Sequence, residues 1–316
     1  MSLYLVSGGA GFIGSHLVER LIGRGDRVRI VDDFSSGRRE NVPAQANVEL
    51  LEGDIADPGV ATRAVAGCQF VLHEAAIPSV PRSVKDPVGS HRANVEGTLN
   101  LLVAARDAGV KRLVFAGSSA VYGDAPVLPK REDMRPNPLS PYGLQKLIGE
   151  QYCQMFTRLY GLETVTTRYF NVFGPRQQPG SPYSGVISLF IEALASGKSP
   201  MVYGDGKQTR DFTFVSDVVT GVLSCCEAPH VAGEVINVAA GGRISLLDLI
   251  RTLQTILKQQ ATPTFGPARE GDVRDSQADI SKARKLLDFN PTVSLEDGLA
   301  QTVAWFLEAG LTFRAS

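Results

Sequence analysis

Tyr142 and Lys146 stand four residues apart in the stretch Ser140-Pro141-Tyr142-Gly143-Leu144-Gln145-Lys146. Residues at i and i+4 share one face of a helix, so a phenol and an ammonium project together there. A free tyrosine titrates near pH ~10 and is a poor base at neutral pH. A fixed neighbouring cation favours the phenolate, so the pair reads as a tuned proton acceptor. The same spacing also arises as a solvated surface pair, and the assignment needs company. Ser118 and Ser119 supply it. They follow the apolar run Leu113–Ala116 and offer a hydroxyl to bridge a substrate hydroxyl and the phenolate, although serines at a strand end also serve as turn formers. Neither sits in a Gly-x-Ser-x-Gly elbow, which disfavours acyl-enzyme chemistry.

These groups need elements to hold them. Ser140 suits a helix N-cap and Pro141 the first helical position. At the N-terminus, the strand-like run Leu3–Ser7 leads into Gly8-Gly9-Ala10-Gly11-Phe12-Ile13-Gly14 and then a helical pattern from Ser15. Glycines at 8, 11 and 14 tighten the turn, admit a pyrophosphate to the backbone and let helix pack on strand. Free N–H groups at the helix start favour the phosphate charge. A second strand-like run, Val28–Val31, ends in Asp32. A carboxylate there accepts from an adenosine ribose and repels a 2′-phosphate, which predicts NAD rather than NADP. Asp33 is an alternative partner. Arg38 and Arg39 are a counter-signal, read here as a solvated loop.

Strand-like and helix-like segments alternate: Val48–Glu52, Val60–Ala66, Phe70–His73, Val95–Ala108, Leu113–Ala116, the helix opened by Pro141, and Thr164–Arg168. The alternation predicts an α/β fold with a Rossmann-type, doubly wound parallel sheet. Its ligands lie beyond the strand carboxyl ends, where Gly8, Asp32, Asp54, His73, Ser118 and Asn171 fall. Residues 1–170 are expected to form the NAD-binding core. Residues 171–316 are expected to form mainly a smaller α/β substrate lobe, with some segments returning to the sheet. In that part Gly174–Gly185 reads as a substrate loop. Helices are expected at Val186–Ser196, Asp217–Cys226, Leu246–Gln259, Ser281–Leu287 and Leu295–Leu307, and short strands at Met201–Tyr203 and Val235–Asn237. Ser245 and Ser294 open capping-box-like sequences.

Composition bounds the function. The 316 residues carry a formal net charge of −1 and 43% hydrophobic residues. No basic field points to nucleic acid, and no apolar run approaches the ~20 residues of a membrane span. The first strand begins at once, which leaves no room for a signal peptide. Cys68, Cys153, Cys225 and Cys226 lack Cys-x-x-Cys spacing and are expected as reduced thiols of a cytoplasmic protein. Four dispersed histidines predict no metal site, and His73 is read as structural.

Several further motifs accompany these: Glu52-Gly-Asp-Ile55, His73-Glu-Ala-Ala76, Asn94-Val-Glu-Gly-Thr98, Ser118-Ser-Ala-Val-Tyr-Gly123, Arg168-Tyr-Phe-Asn-Val-Phe-Gly-Pro-Arg-Gln177, Thr209-Arg-Asp-Phe212 and Arg269-Glu-Gly-Asp-Val-Arg274. With the glycine loop and the Tyr142/Lys146 stretch, the chain resembles extended short-chain dehydrogenase/reductases nearly end to end, specifically nucleotide-sugar 4-epimerases. The resemblance implies NAD as cofactor and a UDP-hexose as substrate, either UDP-GlcNAc/UDP-GalNAc, UDP-Glc/UDP-Gal, or both. It casts Tyr142 as the base at the sugar 4-OH and Lys146 as the partner that depresses its pKa. Ser118 contacts the 4-OH, with Ser119 nearby. It also assigns Phe12, Ile13, Asp54, Ile55, Ala75, Ala76, Asn94 and Tyr169 to the dinucleotide. Asn171, Val186, Arg210, Arg269 and Asp272 go to the UDP-sugar, with the arginines on the diphosphate. Tyr203 is assigned to the uracil or to core packing, and Ser276 to a gatekeeper position that leaves room for an N-acetyl group. The helix-like stretches Val95–Ala108 and that after Pro141 are implied in a homodimer through a four-helix interface.

Alternatives differ by residue. Family dehydratases carry an Asp-Glu pair where Ser119 and Ala120 stand. UDP-glucuronate 4-epimerases carry an arginine where Gln178 stands, although Arg82 or Arg176 could substitute. Asp32 disfavours NADPH-dependent reductases. A dinucleotide-binding protein without activity would not be expected to keep the Tyr142/Lys146 pair.

Overall fold

The structure is a computed structural model that describes residues 1–177, 185–268 and 273–309. Its first half alternates strand and helix: β1 (Leu3–Ser7), α1 (Phe12–Gly23), β2 (Arg27–Asp32), β3 (Val48–Glu52), α2 (Pro58–Val65) and β4 (Phe70–His73). Two short helices follow, α3 (Val80–Lys85) and α4 (Pro87–His91), then a widened π turn at Arg92–Glu96, α5 (Gly97–Asp107), β5 (Arg112–Ser118), α6 (Pro141–Tyr160) and β6 (Glu163–Tyr169). The second half contains β7 (Val172–Phe173), α7 (Val186–Ala195), β8 (Met201–Tyr203), β9 (Thr209–Arg210), β10 (Thr213–Phe214), α8 (Val215–Glu227), β11 (Val235–Val238), β12 (Ile244–Ser245), α9 (Leu246–Leu257), β13 (Thr264–Gly266), α10 (Ser281–Leu287) and α11 (Leu295–Glu308).

Seven strands form one parallel sheet in the order β11-β6-β5-β4-β1-β2-β3. The strand order reverses between β1 and β4, both parallel neighbours in the sheet. A crevice opens at such a switch point. Register brings the carboxyl ends level: Ser7 lies opposite Val31 and His73, and Ser118 opposite Tyr169. The central strands β1, β4 and β5 are buried throughout, as expected of a parallel sheet covered on both faces.

One core layer joins β1, β2 and α1 to α8, β11 and α10. The opposite layer joins the sheet to α2, α5 and α6. A separate core gathers Phe173, α7, β8, Phe214, α9 and α11. The strand expected at Val235–Asn237 is β11, Val235–Val238, which pairs parallel with β6 as the seventh strand of the main sheet. Helices α3 and α4 have no counterpart in the sequence reading. Each opens on a capping residue followed by an early proline: Ser79 caps α3 and Asp86 caps α4 while closing α3. Segments this short carry too little periodicity to detect.

Candidate active site

The glycine turn is built for close approach. Gly8 has φ +70°, and a Cβ there would sit 2.7 Å from the Ala75 backbone nitrogen. A Cβ on Gly14 would collide with the Gly8 carbonyl oxygen. Gly11 is the N-cap of α1 and provides no side-chain cap, so the first N–H groups of this helix lack a side-chain acceptor. A tight glycine cradle under an uncapped helix start fits the pyrophosphate of a dinucleotide. Asp32 ends β2 nearby and is buried. Its carboxylate accepts from the Ala10 N–H at 2.9 Å and the Phe34 N–H at 2.9 Å. Burial pushes its pKa up, and those two N–H groups oppose the shift. Asp33 accepts from Ser35. Arg38 pairs with Glu40 and Arg39 with Glu52, so both arginines have carboxylate partners elsewhere.

A cavity of about 710 Å³ runs from this cradle to α6. Gly8, Gly11, Phe12, Ile13, Gly14, Asp32, Asp33, Asp54, Ile55, Ala75 and Ala76 line one end; Ser118, Ser119, Tyr142, Lys146, Tyr169, Asn171 and Val186 line the other. Ser140 caps α6 by accepting from the Gly143 N–H at 3.1 Å, and Ser83 accepts from the Tyr142 N–H at 3.1 Å. The first turn of α6 is therefore held at two points. Tyr142 and Ser118 line the cavity together, and the Ser118 Oγ accepts from the Ala120 N–H at 3.2 Å. The ammonium of Lys146 is buried, donates to the Ala116 carbonyl at 2.8 Å and lies over the Phe115 ring.

The electrostatics differ from those expected of the pair alone. Burial pushes the Tyr142 phenol up; the Ser118 hydroxyl draws it down, and the charge of Glu74 raises it further. Burial brings Lys146 down to about 8, against the attraction of Glu74. Glu74 itself is pushed up to about 7 by burial, opposed by the Tyr169 hydroxyl and Lys146. The phenol is thus raised, where the Tyr142/Lys146 spacing predicts a lowered one, and Lys146 is not among the groups that shift it. The Glu74 carboxyl enters the balance, and the sequence reading gave it no role. Its one visible signal was an acid ending an apolar strand.

Other expected residues lie apart from the cavity. The buried side chain of Asn94 accepts from the Ile77 N–H at 2.7 Å and donates to Gln145 at 2.8 Å. It ties the loop after β4 to α6 and is not among the residues lining the cavity. Arg210 donates to the carbonyls of Thr209 and Arg274. Tyr203 is part-exposed, and Ser276 is buried with its N–H on Thr209. None of these three is among the lining residues. Arg269, Asp272 and Gln178 lie outside the described residues. His73 is buried between Ser7 at 2.8 Å and Thr98 at 2.9 Å, and burial brings its pKa down to about 3. It is a structural neutral imidazole. Among the described residues no cluster of His, Cys, Asp or Glu could hold a metal ion.

Known proteins are similar to this chain in sequence and fold. The UDP-glucose 4-epimerase of Mycolicibacterium smegmatis is 41% identical over 307 residues, covering 96% of this chain and 97% of that protein. The solved UDP-N-acetylglucosamine 4-epimerase of Methanobrevibacter ruminantium, in complex with UDP-N-acetylmuramic acid, superposes with a TM-score of 0.94 at 38% identity, over 98% of this chain and 99% of that one. The UDP-glucose 4-epimerase of Thermotoga maritima, solved with UDP-glucose, gives 0.93 at 38% identity over 97% and 99%. With residues 4–239 matching its pattern, the chain belongs to the NAD dependent epimerase/dehydratase family.

Proposed function

We propose that this protein is an NAD-dependent epimerase that inverts C4 of a UDP-hexose through a transient 4-keto sugar. The observation that carries the reading is that Ser118, Tyr142 and Lys146 line the same cavity as the glycine cradle. Gly8, Gly11, Gly14, Asp32 and Tyr169 would hold the dinucleotide, and Asn171 and Val186 would meet the UDP-sugar. NAD, when bound, supplies the acceptor that takes the C4 hydrogen and gives it back.

The protein's own part is proton handling. Tyr142 takes the proton of the 4-hydroxyl, with Ser118 bridging the two oxygens, and returns it once the keto sugar presents its other face. Lys146 places its ammonium in the same cavity, and a cationic group that enters beside the phenol favours the phenolate. Substrate and product have the same oxidation state, so no external reductant is needed. The sheet core is assigned to the cofactor and the second core, around α7, α9 and α11, to the UDP-sugar.

The test is incubation with UDP-glucose and UDP-GlcNAc separately, without added NAD, followed by NMR. Appearance of the C4 epimers is expected. No epimer from either sugar, even with NAD supplied, would refute the reading. UDP-glucuronate serves as the third arm. Faster turnover of that acid than of both neutral sugars would transfer the assignment to a carboxylate-bearing substrate, with Arg82 and Arg176 as cavity-lining cations.

A homodimer is proposed through α5 and α6. Leu144, Met155 and Leu159 on α6 are 49%, 39% and 66% exposed, with Ile148 half-buried between them. This spacing makes one apolar stripe. Leu144→Glu combined with Leu159→Glu is expected to give a monomer by light scattering, and a variant that keeps the native mass would place the interface elsewhere. No helix among the described residues is long and apolar enough to cross a membrane. The four cysteines are buried free thiols, which supports a reducing compartment, the cytoplasm.

A further inference from the structure

Glu74 follows the buried strand β4 and lines the cavity. Its Oε1 accepts from the Tyr169 hydroxyl at 2.8 Å. From α6, Tyr142 and Lys146 both feel its charge; from β6, Tyr169 does. Its neighbour His73 faces Ser7 and Thr98 and stays neutral. One acid is thus enclosed with the proposed base, the proposed cation and a second phenol, where proton transfer is to occur.

We propose that Glu74 is a positioning residue that sets the charge balance of the proton-transfer site: it opposes the Tyr142 phenolate, supports the Lys146 ammonium and anchors the Tyr169 ring. The sign follows from Coulomb's law. An ionised Glu74 raises the proton affinity of both Tyr142 and Lys146. Removing its charge lets the phenol ionise, and the ammonium lose its proton, at lower pH. With Glu74 pushed up to about 7 and Lys146 down to about 8, the carboxyl and the ammonium titrate as a coupled pair near neutrality. The carboxyl therefore tunes where the site works, without itself touching the reacting atoms.

Glu74→Gln keeps the size and can still accept from Tyr169. Both limbs of the pH profile of kcat/KM for the holoenzyme are expected to move acidward by roughly one unit, the scale of one nearby charge. Glu74→Asp, which keeps the charge, should restore the native position. A purely structural role would lower the profile without translating it, and that outcome overturns the proposal. The kinetic arm rests on the epimerase reading. A second arm does not: the phenolate of Tyr142 is followed by near-ultraviolet absorbance, as the difference from Tyr142→Phe. Its midpoint is expected to fall in Glu74→Gln, and an unmoved midpoint overturns the proposal. Absence of turnover with every UDP-hexose would sink the epimerase reading, while the phenolate titration still decides Glu74. Should Glu74→Gln not fold, Tyr169→Phe removes the hydroxyl that stabilises the charged carboxylate. More Glu74 is then protonated at neutral pH, and a smaller shift in the same direction is expected; none would be equally fatal.

Discussion

Tyr142→Phe is expected to lower kcat by about 10²–10⁴-fold, the contribution of one positioned acid–base group, while leaving NAD and UDP-sugar affinity nearly intact. The substitution deletes only a hydroxyl. Ser118 keeps its bond from the Ala120 N–H, and the first turn of α6 keeps its Ser140 cap and the Ser83 contact. The ring itself stays part-buried at the same position, so the fold and the cavity wall survive. Lys146 retains its Ala116 partner, which keeps the cation in place. Stopped assays read by NMR give kcat, and calorimetry gives the affinities. Near-native turnover would remove Tyr142 from the mechanism. Loss of binding in step with turnover would assign it to substrate capture.

The second large effect concerns stability. Arg168 and Glu150 form a buried bidentate pair, with Nε–Oε2 at 2.9 Å and Nη2–Oε1 at 2.7 Å. Their side chains are only 2% and 6% exposed. The guanidinium also lies 4.6 Å from the Tyr122 ring centroid. Glu150 is on α6, one turn beyond Lys146, and Arg168 precedes Tyr169 on β6. The pair therefore fixes α6 against the strand that carries Tyr169. Arg168→Met leaves a buried carboxylate without its cation and is expected to cost about 3–5 kcal/mol. Urea denaturation followed by circular dichroism measures it. The double variant Arg168→Met/Glu150→Leu should recover most of the loss, because apolar side chains replace a buried pair at little net cost. A single-variant loss below about 1 kcal/mol, the range of an exposed pair, would show that solvent reaches the site.

Much of the site was legible because it is local in sequence. A glycine turn, an N-cap with proline and an i,i+4 pair each declare themselves within one or two helical turns. The acid after β2 adds a strand of fixed length, so its place at a carboxyl end follows from topology. Asn94 shows where this reasoning stopped. Its position in the chain resembles that of a cofactor ligand, but its side chain binds Gln145 and the Ile77 loop. Such contacts have no periodic signature. Arg210 has the right type for a diphosphate, and its Nη1 donates to the Thr209 and Arg274 carbonyls, a fold-dependent contact that no short-range spacing announces.

The sequence by itself determined the parallel sheet, the dinucleotide turn and the placing of Tyr142 and Lys146 on one turn of α6, since each depends on hydrophobic period, glycine permissiveness and short-range spacing. Only the tertiary structure decided what those groups feel. Glu74 and Tyr142 are remote in the chain, and Arg168 meets Glu150 only because β6 packs on α6. Proton affinity depends on burial and on charges a few ångströms away, and those distances exist only once the chain has closed.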